Sequence, residues 1–219
     1  MLATYGDITL CTIEDEGARD WAVPSGASNL RVILPSDPVT NVQMASRGYV
    51  LGDRTLLCSI STRTLPDGFG KGARAKATME QADHEAMFML ARRSFWGDRR
   101  FYITPGCDQE IAELVLREWI AGLDEVLVCR VKGEYAGFLA LTEESDSALC
   151  VNLAATDERF RLAGVAMALY TEAVRRAHEN GYARLVGRIS SRNIAVMNLY
   201  AHLGAKFSDP LDVFLKEVR

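Results

Sequence analysis

The stretch CVNLAATDERFRLAGVAMALYTEAVRRA, at residues 150–177, decides the fold because its hydrophobic pattern changes halfway. Up to Ala155 the residues are apolar or small, which is typical of a strand buried on both faces. A polar break follows. From Gly164 onward the apolar residues recur at helical spacing, with charged residues on the other side. The stretch therefore predicts a strand, a loop and a helix.

The turn before the helix, RLAGVA at residues 161–166, has little side-chain bulk where the helix begins. The first amides of a helix have no partners inside it and carry partial positive charge, so they can hold an anion. Gly164 and Ala166 allow a phosphate close to the backbone, and Arg161 can add a charge-assisted contact. We expect a pyrophosphate site here, although packing alone would also account for a single glycine in such a turn.

Composition limits the classes of protein that fit. The chain has 219 residues, of which 48% are hydrophobic and 25% charged, as in ordinary globular domains. Its net charge of −4 argues against a broad nucleic-acid surface. The five cysteines are widely spaced and odd in number, so they predict neither a disulfide framework nor a zinc site. With no signal-peptide pattern and no membrane-length apolar run, a cytoplasmic protein is expected.

The order of predicted elements indicates an α/β (α+β) fold, with a mixed sheet flanked by helices. Residues 1–75 are predicted to form a smaller, β-rich accessory region with one short helix at 41–48. The segment 65–73, rich in Gly and Pro, is the expected linker. The elements predicted after it are helices at 76–95 and 108–122, an antiparallel meander at 125–132, 135–142 and 148–155, a helix at 164–181, a strand at 183–189, a helix ending at 203 and a strand at 211–215.

Two motifs in this order resemble the GNAT superfamily of acetyl-CoA-dependent N-acyltransferases. Residues 161–166 match the Q/R-x-x-G-x-G/A pyrophosphate loop of that family. In NIAVMNLYAHLG, at 193–204, an Asn is followed seven positions later by a Tyr and then by Leu-Gly, as in the family. The resemblance covers residues 76–219 and implies a GNAT acetyltransferase domain there. The region 1–75 would then fit a degenerate second GNAT half.

The resemblance implies a role for each matching residue. Tyr200 would be the acid that protonates the leaving sulfur of coenzyme A, and Asn193 would contact the cofactor arm. No metal is implied. The remaining residues expected to bind acetyl-CoA are Leu153, Ala154, Ala155 and Thr156, which would pair with the pantetheine arm, and Arg161, Leu162, Ala163, Gly164, Val165 and Ala166, which would hold the pyrophosphate.

The general base is left open by the sequence. Many family members place a carboxylate on the strand before the loop, where this chain has Cys150 and Asn152. Asn152 can orient a water or the substrate, but it is not a strong base. Cys150 is disfavoured as a nucleophile because a thiol on a buried strand keeps its proton. The other carboxylates considered are Glu118, Glu143 and Asp146.

The predicted function is transfer of an acetyl group to a primary amine of a small molecule. Residues 92–95, 101–102, 117–120 and 203–207 look like the sugar-nucleotide amine acetyltransferases, which implies an amino sugar on a nucleotide as acceptor. An aromatic and arginine-rich loop at 95–102 would suit such an acceptor. Other amines (an amino acid, a polyamine, an aminoglycoside, a protein N-terminus) and a non-catalytic acyl-CoA-binding module are alternatives. No nucleic-acid or membrane partner is expected, and a homodimer is left open.

Overall fold

In the part of the chain that the structure describes, the strands form one continuous ten-stranded sheet in the order β1-β2-β3-β10-β4-β9-β8-β7-β6-β5. The computed structural model describes residues 1–5, 8–16, 21–23, 25–67, 69–70, 75–95 and 109–218. Within them the strands are β1 (Leu2–Tyr5), β2 (Ile8–Glu14), β3 (Asn29–Pro35), β4 (Val50–Ser61), β5 (Ala77–Gln81), β6 (Glu125–Val131), β7 (Glu134–Ser145), β8 (Ala148–Thr156), β9 (Arg184–Ser190) and β10 (Lys206–Glu217).

Helices cover both faces of this sheet. They are α1 (Pro38–Ser46), α2 (His84–Phe95), α3 (Gln109–Ala121), α4 (Val165–Glu179) and α5 (Ile194–His202), and a 3-10 helix at Glu158–Ala163 joins β8 to α4. One core packs α4 and Tyr200 of α5 against the sheet. A second core packs α2 and α3 against the opposite face of β6, β7 and β8. A third, smaller core lies beneath α1.

The central prediction of the sequence is confirmed. β6, β7 and β8 form an antiparallel meander, and β8 and β9 pair in parallel on either side of α4. The mixed α/β sheet flanked by helices is therefore the observed fold. The division at residue 75 stays a prediction, and strands from both sides of it share the sheet, since β4 lies between β9 and β10.

One predicted helix is wrong in its first part. Residues 76–95 do not form a single helix, because β5 occupies Ala77–Gln81 and pairs with β6, and α2 begins only at His84. The carboxylate of Asp83 accepts a hydrogen bond from the Ala86 amide at 3.0 Å, as an N-cap does. An N-cap residue has a non-helical backbone, so a helix from the N-terminal side cannot continue through Asp83. The last strand is also longer than predicted, since β10 begins at Lys206.

Candidate active site

The two parallel strands at the centre of the sheet separate partway along their length. β8 and β9 pair at three positions, the last joining Cys150 to Val186. Beyond it β8 continues to Thr156 beside β7, and β9 continues to Ser190 beside β4. A gap therefore opens in the middle of the sheet, and we call it the β8–β9 gap.

Tyr200 of α5 places its hydroxyl at the floor of this gap. A Cβ atom added to Gly187 of β9 would lie 2.3 Å from Tyr200 Oη and 3.5 Å from Val151 Cβ on β8. Only a glycine at 187 leaves room for the phenol. The Tyr200 side chain is fully buried, and its hydroxyl makes no hydrogen bond of normal geometry among the described residues, although the phenol of Tyr170 lies close enough to affect its pKa. An unpartnered polar atom in a core is costly, which is a reason to expect a ligand atom there.

Burial also sets the protonation of this phenol. It raises the pKa of Tyr200 well above its ordinary value, and the neighbouring phenol of Tyr170 adds to the effect. The rings of Tyr170 and Tyr200 stand edge to face, with their centroids 5.2 Å apart. Tyr200 therefore stays neutral at physiological pH and offers one O–H donor to the gap.

The edge of β8 that faces the gap is formed by residues predicted to bind the cofactor. Leu153, Ala154, Ala155 and Thr156 pair with β7 on one side, while β9 does not pair with them on the other. Asn152 is the extra residue of a β-bulge, because Ala140 pairs with Leu153 and Leu141 with Val151. An unpaired strand edge of this kind can accept an extended ligand as an added strand.

The predicted pyrophosphate turn follows directly from this edge. Gly164 has φ of +76° and precedes α4 without a side-chain hydrogen bond to cap the helix. A Cβ there would meet nothing within 4 Å, so the glycine is required by its backbone angle and the space beside it is open. The amides of Val165 and Ala166 begin α4, where helices leave N–H groups without internal partners. The side chains of Arg161 and Leu162 lie outside the described residues.

An ion pair fixes the backbone between β8 and this turn. The guanidinium of Arg159 donates to both carboxylate oxygens of Asp157, at 2.8 to 3.1 Å. These hydrogen bonds lower the pKa of Asp157. Ser94 of α2 donates to the carbonyl of Thr156 at 2.8 Å. The end of β8 is thus held from two directions, which fixes the start of α4 relative to the gap.

Asn193 is found at the N-terminus of α5, where its side-chain oxygen accepts a hydrogen bond from the Val196 amide at 3.2 Å. It is therefore the N-cap of the helix that carries Tyr200. This structural role was not predicted. The cap uses the oxygen of the side-chain amide, and the nitrogen is the group suited to donate to a ligand carbonyl.

On the opposite face of the sheet, Asn152 points toward α3. The indole N–H of Trp119 donates to Asn152 Oδ1 at 3.0 Å. Since an indole can only donate, the amide must present its oxygen to Trp119 and keep its N–H groups for other partners. Trp119 is 39% exposed, so this pair lies at an open surface. The two faces of the gap thus present different groups, a neutral phenol on one and an amide on the other.

The structure separates the carboxylates that were considered as a base. Glu143 accepts a hydrogen bond from the hydroxyl of Tyr182 at 2.5 Å, and this contact places Glu143 on the α4 side of the sheet. Glu118 and Asp146 are exposed. Burial raises the pKa of Cys150, and the charge of Glu144 adds to this effect, so its thiol stays protonated. No contact among the described residues joins any of these carboxylates to Tyr200 or Asn152.

Some predicted features fall outside the described residues and others were missed. The aromatic and arginine-rich loop at 95–102 is described only at Phe95, which ends α2. Gly187 and Trp119 were not predicted to belong to the site. A glycine in the middle of a buried strand pattern was the available signal for Gly187, because it often marks a close approach of another group.

A cavity of about 560 Å³ lies elsewhere, between α4, the end of α5 and the segment from Thr64 to Gly70. Of the described residues that line it, none was predicted to belong to the site, so the β8–β9 gap is the better candidate. In the described part of the chain no helix is long and apolar enough to cross a membrane.

Comparison with known proteins agrees with this geometry. Residues 86–205, more than half of the chain, match the model of the acetyltransferase (GNAT) family. That segment contains the meander, the turn predicted to bind pyrophosphate and Tyr200. No curated protein sequence is similar enough to this chain to match it.

Solved structures share the fold at low sequence identity. A conserved protein of unknown function from Staphylococcus epidermidis is 14% identical, with a TM-score of 0.66 over 88% of this chain and 74% of that one. A GCN5-related N-acetyltransferase from Sphaerobacter thermophilus is 14% identical, with a TM-score of 0.57 over 87% of this chain and 60% of that one. A tandem GNAT protein from the clavulanic acid biosynthesis pathway is 15% identical, with a TM-score of 0.57 over 88% of this chain and 65% of that one.

Proposed function

The chain belongs to the acetyltransferase (GNAT) family, and we propose that it transfers an acetyl group from acetyl-CoA to a primary amine of a small molecule in the β8–β9 gap. The observation that carries the proposal is the hydroxyl of Tyr200, buried and without a partner against Gly187 where β8 loses its neighbour. A leaving sulfur at this point would supply the missing hydrogen-bond acceptor.

The cofactor would enter from the α4–α5 face. The free edge of β8, from Leu153 to Thr156, would pair with the amides of the pantetheine arm. The first amides of α4 and the open space beside Gly164 would hold the pyrophosphate. Arg161, Leu162 and Ala163 are assigned to this turn on the motif alone. Asn193 would donate from its side-chain nitrogen to the arm.

The described side chains of the site can then be assigned to steps of the reaction. The acceptor nitrogen attacks the thioester carbon, the C–N bond forms, and the C–S bond breaks as the tetrahedral intermediate collapses. Tyr200 donates its hydrogen bond and then its proton to the sulfur as negative charge develops there. The free N–H groups of Asn152 orient the acceptor or a water that removes the ammonium proton.

The acceptor we propose is an amino sugar on a nucleotide carrier. It rests on the resemblance of residues 92–95, 117–120 and 203–207 to sugar-nucleotide amine acetyltransferases. Among the described residues no contact identifies a strong base, and an amine of lowered pKa needs only a water to lose its proton. An electron-poor amino sugar meets this condition better than a polyamine does.

The test begins with titration calorimetry of acetyl-CoA on the wild type, Gly164→Glu and Gly181→Glu. Gly181 is the matched control, because its φ of +81° and the open space beside it resemble those of Gly164. We expect Gly164→Glu to weaken binding at least about tenfold through strain and charge repulsion, and Gly181→Glu to leave it intact.

Thiol release with a panel of amines, including amino-sugar nucleotides, follows on the same samples. Turnover of one amine class supports the proposed enzyme. Binding of acetyl-CoA with no turnover of any amine would instead favour the non-catalytic module. Absence of acetyl-CoA binding by the wild type would refute the proposal as a whole.

A further inference from the structure

Arg188 is the first side chain of β9 beyond Gly187 and points to the face opposite Tyr200. Gly187 contacts the phenol on the α4–α5 face, and side chains alternate along a strand, so Arg188 faces the α2–α3 side. Asn152 on β8 faces the same side, because it bonds Trp119 of α3. Arg188 and Asn152 therefore lie on the same face, one on each strand that borders the gap.

Arg188 is exposed on this face, whereas its neighbours on β9 on the same face, Val186 and Ser190, are buried. α2 and α3 pack over β6, β7 and β8 but not over β9. The sheet curves enough that β1, at its far edge, contacts α3. The surface above β9 and β4 thus lies between α3 and β1, and an acceptor there would reach the gap from the side opposite the cofactor.

The guanidinium of Arg188 is oriented but not neutralised. Its Nη1 donates to the carbonyl of Asp209 at 2.8 Å and lies 3.4 Å from Thr55 Oγ1. Asp209 has φ of +47° within a bulge of β10, which turns that carbonyl toward Arg188. Arg188 is exposed and forms no ion pair among the described residues. Carboxylates do pair with many other arginines of the fold, including Arg54, Arg92, Arg117, Arg130 and Arg175.

We propose that Arg188 binds an anionic group of the acceptor, a carboxylate or a phosphate, while Asn152 and Trp119 lie beside its reacting amine. The inference rests on the proposed function and narrows its acceptor class. A guanidinium held by two contacts keeps further N–H donors in a fork that fits either anion. A polyamine acceptor would meet repulsion at Arg188, so the surface disfavours it.

The matched control is Arg184. It lies on the same strand and the same face and is also exposed, but at a position where β8 and β9 are still paired through Ala148. Arg184→Met removes one positive charge from β9 without touching the gap. Arg188→Met removes the proposed contact, and Arg188→Lys keeps the charge but loses the fork.

The first experiment needs no turnover. Inorganic phosphate and 4-aminobutyrate are titrated into the protein saturated with coenzyme A, and their affinities are measured by NMR or thermal shift. We expect Arg188→Met to weaken at least one of the two probes about tenfold, Arg188→Lys to have a smaller effect, and Arg184→Met to match wild type. If neither probe depends on Arg188, the proposal is wrong.

The second experiment compares acceptor pairs that differ in charge. Thiol release is measured with 4-aminobutyrate against butylamine, and with glucosamine 6-phosphate against glucosamine. Preference for the charged member of the first pair identifies a carboxylate, and of the second a phosphate, and it should disappear in Arg188→Met. Equal turnover of the two members of both pairs in the wild type, or turnover of 4-aminobutyrate and glucosamine 6-phosphate that is unchanged in Arg188→Met, would overturn this inference and leave the proposed function standing. Absence of acetyl-CoA binding by the wild type would refute both.

Discussion

Two tyrosine hydroxyls in this protein are buried without a hydrogen-bond partner among the described residues, and only one of them lies where the sheet opens. Tyr135 lies on β7 opposite Arg130 of β6, where the two strands are still paired through their backbones. Tyr200 ends in the β8–β9 gap against Gly187. Burial raises the pKa of both phenols. An unpartnered donor indicates a site only when a ligand has a path to it, and the comparison of the two tyrosines tests this.

The largest expected effect is on the rate. Tyr200→Phe removes the proposed donor to the sulfur, and we expect acetyl transfer to fall by about 10² to 10⁴, the usual contribution of a positioned acid. Tyr135→Phe removes a hydroxyl that is also inaccessible and unpartnered, although its side chain is only half-buried, and it should leave the rate unchanged. Steady-state thiol release on both variants gives the comparison, and equal rates for the two would refute the role of Tyr200.

The stabilities of the same two variants should move together. Each loses a buried hydroxyl without a partner, so each should be unchanged or more stable by up to about 1 kcal/mol in urea unfolding. A marked loss of stability in Tyr200→Phe alone would mean that its hydroxyl has a structural partner after all.

Gly187→Ala tests the contact that distinguishes Tyr200 from Tyr135. The added Cβ would lie 2.3 Å from Tyr200 Oη but 3.4 Å from Cζ, so removal of the hydroxyl relieves the clash. We expect Gly187→Ala to cost about 1–3 kcal/mol of stability and the double variant with Tyr200→Phe to regain most of it. Gly137→Ala is the control, since its Cβ would meet Val165 of α4 at 2.7 Å. Tyr200→Phe should not rescue that variant.

The smallest expected effect concerns pH. Burial raises the pKa of Tyr200, so its phenol stays protonated as the pH rises through the ordinary value near 10. The rate should therefore rise as the acceptor amine loses its proton and then stay level up to about pH 10. A fall in rate between pH 8 and pH 10 that disappears in Tyr200→Phe would show that the phenol ionises in this range, which contradicts its raised pKa but not its role as the acid.

The sequence alone predicted the elements whose pattern lies within one short stretch of the chain. The strand before residue 156, the turn at Gly164 and the helix ending after Tyr200 each follow from their own composition, and all three are confirmed. The helix predicted at 76–95 was wrong in its first part because Met79 and Ala82 happen to match helical spacing, while the pairing of β5 with β6 depends on residues far along the chain.

The other face of the gap was less accessible to sequence reasoning. Arg188 looks like an ordinary exposed residue of an alternating strand until the position of β4 and the bulge at Asp209 are known. The contact of Trp119 with Asn152 joins two elements that no local pattern connects. The surroundings of Arg188 and the contact between Trp119 and Asn152 both depend on residues that are far apart in the sequence.

The central claim is that acetyl-CoA adds to the free edge of β8 within the β8–β9 gap. Hydrogen exchange of backbone amides, measured with and without acetyl-CoA, tests it most directly. The account predicts new protection in two segments, at Leu153 to Thr156 and at Gly164 to Ala166, with the segment around Tyr135 unchanged. Protection confined to the cavity between α4 and the segment from Thr64 to Gly70 would contradict it.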